Sequence, residues 1–147
     1  MFIPFTFENN SYSGRLSTKD ILAIILRLLI LAGIVFVLDA VFLYSTRSFV
    51  IPIYQKIQHA PVTIRYSSAI LCYLLIVLGL YYFIIRENRP IHDAFLLGIF
   101  VYGVYDLTVL SVFSNYTLEI ALMDMVWGGI LFTSSVAIYR NIIHVIV

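Results

Sequence analysis

Four apolar runs, at 21–44, 67–85, 94–113 and 120–139, are separated by short polar stretches. Each is long enough to cross about 30 Å of hydrocarbon as an α-helix, which needs roughly 20 residues. The pattern therefore predicts an all-α integral membrane four-helix bundle, one transmembrane domain over 1–147 with residues 1–20 as a flanking N-terminal tail. The first helix has a start signal: Ser17 stands three residues before Asp20, the spacing of a capping box. Between the first two runs, Pro52 and Pro61 bracket Ile53, Tyr54 and Ile57 interleaved with Gln55, Lys56 and Gln58. Residues 45–66 read as an interfacial connection with a short amphipathic turn of helix. The other connections, Arg86-Glu87-Asn88-Arg89-Pro90 and the stretch around 114–118, are short. Short connections make neighbours antiparallel, so spans two, three and four are expected as a hairpin series with the first span packed against them.

Composition sharpens this picture. Of 147 residues, 62% are hydrophobic and only 12% charged, so lipid takes the place of a soluble core. A net charge of +1 leaves no electrostatic footprint for nucleic acid, which is excluded as a partner. The lone cysteine, Cys72, lies inside an apolar run and forms neither an intramolecular disulfide nor a CxxC site. The first apolar run begins too late and runs too long for a cleaved signal peptide.

Basic residues set the expected direction. Arg15, Lys19, Arg27, Arg86, Arg89 and Arg140 fall on the side of the termini, against Arg47, Lys56 and Arg65 on the other, six to three. Both termini are expected on the cytoplasmic side. Arg27 sits within the first run, where a snorkelling side chain explains it without invoking a voltage sensor. Asn115-Tyr116-Thr117 is then a sequon on the outer face, expected to be unused because it lies so close to the membrane.

Three acids sit where acids are expensive. Asp39, Asp106 and Asp124 lie within apolar runs, where an ionised carboxylate costs a few kcal/mol and should face protein. Counted at 1.5 Å per residue from the outer end of each span, they lie roughly 12, 13 and 7 Å deep, in the same half of the bilayer. Asp124, Gly128, Leu131 and Ser135 form one stripe of span four, and Gly98, Tyr102, Gly103 and Asp106 lie together on span three. Span two offers Ser68, Cys72 and Gly79, and small residues let helices approach closely. Tyr102, Tyr105, Thr108 and Trp127 supply hydrogen-bond donors nearby. The candidate ligand- or cation-binding set is therefore Asp39, Tyr102, Tyr105, Asp106, Thr108, Asp124 and Trp127.

Several roles fit such a set. A shared proton, a bound hard cation or a polar head group would each relieve carboxylates held close together, which describes a binding or transport protein. Alternatively the acids are interhelix glue in a structural membrane protein, for example of a viral internal membrane or a larger membrane complex. Asp39 would then pair with Arg47 or Arg65, and Asp106 and Asp124 with tyrosines, Trp127 or each other. Four short helices leave little room for a transport path, so homo-oligomers or a larger assembly are candidate partners besides lipid. An intramembrane acid/base enzyme ranks third: His59, His92 and His144 lie in loops or the tail, and neither a phosphate loop nor a GxSxG elbow is present. No cofactor is expected, and the identity of any metal stays open.

Tyr102-Gly-Val-Tyr105-Asp106-Leu-Thr108, followed by Asp124-Met-Val-Trp127-Gly128 and preceded by Leu38-Asp39-Ala-Val-Phe42-Leu43, resembles the small membrane proteins grouped as domain of unknown function 2177. The likeness runs from the first span to the fourth. It departs at the first motif, where Phe42 and Tyr44 stand in place of the family's usual Trp and Gly. The resemblance implies four transmembrane helices and acids that belong to the pattern, and it implies no established activity.

Overall fold

The computed structural model describes residues 17–146, which form four helices with no strand among the described residues. Helix α1 spans Thr18–Gln58, α2 Tyr66–Leu80, α3 Ile91–Val112 and α4 Leu118–Ile146. The tail expected at 1–16 lies outside the described residues. Helices α1, α3 and α4, and α2 counted with the helical turn that continues it to Ile85, are each long and apolar enough to cross a membrane. Their outward faces carry exposed Leu, Ile, Val and Phe throughout, as lipid contact requires.

The capping box at the start of α1 is present. The Asp20 carboxylate accepts the Ser17 amide at 3.0 Å, and the Ser17 hydroxyl accepts the Lys19 amide at 3.4 Å. The helix then differs from the sequence reading, because 45–58 continues it without a break and Pro52 lies inside. A proline forfeits one backbone hydrogen bond there. Burial offsets that loss: Ile53, Tyr54 and Ile57 pack on Tyr116, Ile120 and Ala121 at the end of the α3–α4 pair where those two helices are joined. The helix stops at His59, whose φ of 52° is left-handed, and the Gln58 side-chain amide donates to the carbonyls of Ala60 and Pro61. At 41 residues α1 is about 60 Å long, twice the hydrocarbon thickness.

Helix α2 ends in a π turn, Tyr81–Ile85, in which the Arg86 amide reaches back five residues to the Tyr81 carbonyl at 2.8 Å. Asn88, at φ 47°, turns the chain into α3. At the same end the Arg140 guanidinium donates to the Arg89 carbonyl at 2.5 Å, tying α4 to this loop.

Packing is uneven around the bundle. Helices α3 and α4 lie together along most of their length, and α1 fits between α4 and α2. Spans two to four form the expected antiparallel hairpin series, but its packing is unequal, for α2 reaches α3 chiefly through the π turn. The shared core lies in the half of the bundle nearest that turn, built from Leu31 and Val35 of α1, Leu80 of α2, Ile84 of the π turn, Ala94 of α3, and Phe132 and Val136 of α4. Where α3 crosses α4 the backbones touch. A methyl on Gly98 would run into the Gly128 backbone, and one on Gly128 into the Tyr102 ring and the Gly98 carbonyl.

Candidate functional site

The three intramembrane acids occupy three different environments. Asp39, buried at 8% exposure on α1, accepts two hydrogen bonds. The Tyr73 hydroxyl of α2 reaches Oδ2 at 2.7 Å, and the Trp127 indole of α4 reaches Oδ1 at 2.9 Å. One carboxylate thus links three helices. Phe42, one turn along α1, stacks on the Trp127 ring with centroids 4.2 Å apart and fixes the indole.

Asp106 is fully buried on α3 where it faces α4. The Tyr116 hydroxyl, in the turn between those helices, donates to its Oδ1 at 2.5 Å, while Oδ2 is buried without a partner. Burial first, and then the bond to the carboxyl, hold the Tyr116 phenol above its ordinary range, so it stays a donor. The next residue, Thr117, accepts the Ile120 amide and starts α4. The sequon residues Tyr116 and Thr117 are therefore parts of this turn.

Asp124 is half-buried on α4, and no protein donor reaches it among the described residues. It opens instead into a cleft of about 610 Å³ between α2 and α3, within the size range of small-molecule sites. The walls are Leu75, Ile76, Gly79 and Phe83 on one side and Leu97, Val101, Tyr102 and Tyr105 on the other. Asp39 and Asp124 lie at the base, and the lining contains no Lys, Arg or His.

Of the residues named from the sequence, the structure brings Asp39, Tyr102, Tyr105 and Asp124 to this one cleft, with Trp127 reaching Asp39 from α4. Asp106 is not among the residues that line the cleft and is held by Tyr116. Thr108 is exposed and its hydroxyl donates to the Val104 carbonyl of its own helix at 2.6 Å, so it joins neither group. The expected pairing of Asp39 with Arg47 or Arg65 does not form: Arg47 lies about 12 Å further along α1, stacked over the Tyr44 ring at 3.9 Å. Two functional donors, Tyr73 and Tyr116, were not among the sequence candidates. Tyr73 directly follows Cys72 but lies about 100° round the helix from the stripe of Ser68, Cys72 and Gly79, and Tyr116 is the middle residue of the sequon.

Among the described residues no group of three or more His, Cys, Asp and Glu side chains could hold a metal ion. Neither a curated protein nor a solved structure matches the chain. Residues 23–140, from the first helix to the last, match the family described as "Predicted membrane protein (DUF2177)". With four membrane-spanning helices and most of its length matched, the chain belongs to that family, domain of unknown function 2177.

Proposed function

We propose that the protein binds the polar group of a molecule resident in the bilayer, holding it against Asp124 in the cleft between α2 and α3. The observation that carries this reading is the contrast among the acids. Asp39 has both oxygens occupied by protein donors and Asp106 has one, whereas Asp124 faces the cleft with none. A carboxylate in an apolar layer is retained at a cost of a few kcal/mol, and a ligand donor supplies what the protein does not. The surplus of basic residues on the side of the termini supports a cytoplasmic location for both ends, with the cleft in the outer half of the membrane. Transport, an oligomer or a larger assembly would each build on the same cleft.

The structural reading keeps a specific observation in its favour: Asp39 ties α1, α2 and α4 through Tyr73 and Trp127. The two readings divide the acids between them, with Asp39 and Asp106 as glue and Asp124 as the recognition group. Native mass spectrometry of protein extracted in a mild non-ionic detergent separates them. We expect a small species on the wild type that is missing from Asp124→Asn. An identical spectrum for both proteins, with or without an adduct, would overturn the binding role and leave all three acids as glue.

A further inference from the structure

Resting on the binding reading of the cleft, we infer that its occupant is a single-chain amphiphile with a monocationic head, seated with the head at Asp124 and the chain between α2 and α3. The charge follows from the lining, which holds two carboxylates and no basic side chain. The Asp39 oxygens are already engaged by Tyr73 and Trp127, so Asp124 is the lining carboxylate left to contact one cationic head directly, with the Asp39 charge adding attraction at longer range. A divalent inorganic cation needs six or more oxygens as calcium or near-ideal octahedral oxygens as magnesium, and the mostly apolar walls do not provide them. A cationic organic head needs only the carboxylate and aromatic faces, which Tyr102 and Tyr105 offer beside it.

The chain follows from how the lining changes along the cleft. Its polar side chains, Asp39, Cys72, Tyr73, Tyr102, Tyr105 and Asp124, precede Gly79 along α2 or lie beside that stretch, whereas the end toward the π turn is lined by Gly79, Phe83, Leu97 and Phe132, none of them polar. From Cys72 to Phe83 the slot runs about 16 Å along α2, a length suited to an extended alkyl chain. Gly79 leaves the space open: a methyl group there would meet nothing within 4 Å. Phe83, in the π turn that follows α2, lines the far end.

The test uses full-length protein in non-ionic detergent and native mass spectrometry titrations with hexadecylamine, butylamine and hexadecanol. Hexadecylamine is expected to bind the wild type at least tenfold more tightly than the other two, and to lose at least tenfold with either Asp124→Asn or Gly79→Leu. A series of amines of increasing length on the wild type reads the slot without any substitution, and affinity should climb with length. If butylamine binds as well as hexadecylamine, the chain assignment falls while the reading of Asp124 as a recognition group stands. If hexadecylamine fails to bind while the wild type retains a different small species through Asp124, the inference falls and the binding reading survives. Equal binding of amine and alcohol, unaffected by Asp124→Asn, would overturn both.

Discussion

Helix α3 has two neighbours joined to it by short connections, and it treats them differently. Against α4 it forms a closed seam, with backbones in contact at Gly98 and Gly128 and a sealed carboxyl at Asp106. Toward α2 it leaves an open one, presenting Leu97, Val101 and Tyr105 across a cleft and meeting its neighbour chiefly at the π turn. Both pairs are antiparallel, so loop length is not the cause. Small residues on the closed seam let the helices approach to backbone distance, where dispersion and weak polar contacts accumulate. On the open seam Gly79 faces no partner glycine, and bulky side chains hold the helices apart.

The same chemical change should therefore have opposite signs on the two seams. Gly98→Ala drives a methyl into backbone that has no rotamer to yield, and is expected to cost about 3 kcal/mol or more, seen as loss of monodisperse protein and a lower Tm. Gly79→Ala meets open space and removes a flexible residue from a helix, so it should gain about 0.5–1 kcal/mol. Equal responses at the two positions would show that the seams do not differ as described. A smaller effect is expected at Tyr116→Phe, which leaves both Asp106 oxygens buried without a donor and should cost about 1–3 kcal/mol in reversible unfolding. Much of that loss should be absent when the same change is made on an Asp106→Leu background; a full loss there would place the role of Tyr116 outside this hydrogen bond. The smallest of the expected losses concerns the polar tie that keeps α2 on the bundle. A double-mutant cycle of Asp39→Asn and Tyr73→Phe should give a coupling of about 0.6–1.7 kcal/mol. Trp127, the sole tryptophan, touches the same carboxylate and provides the fluorescence readout. Zero coupling would mean that apolar packing alone positions α2.

Much of this fold was legible in the sequence because lipid demands long uninterrupted apolar helices. The spans read at 67–85, 94–113 and 120–139 fall on α2 with its π turn, α3 and α4, and Ser17 and Asp20 mark the start of α1. Its end was not legible, since a proline reads as a breaker unless the burial around it is known, and Tyr54 finds its partner Tyr116 more than sixty residues away. The site was legible by halves for the same reason. Buried acids announce themselves by their cost, as do the glycines beside them. Their donors do not: a tyrosine in a membrane span is common, and only the three-dimensional fold brings Tyr73 to Asp39 across 34 residues.

The π turn at the end of α2 carries a consequence for inheritance. An α-helix advances about 100° per residue, so a single residue added to or lost from a turn rotates everything on one side of it relative to the other. Tyr73, Ile76 and Gly79 stand before the turn, and the connection to α3 stands after it. Loss of one codon within 81–85 would tighten the turn to an ordinary α-helix and swing the whole cleft-lining face of α2 out of alignment. The shape of the cleft is thus written in a reading of length as well as of side chains, and a descendant could reshape it in a single deletion without altering any residue that lines Asp124's side of the wall.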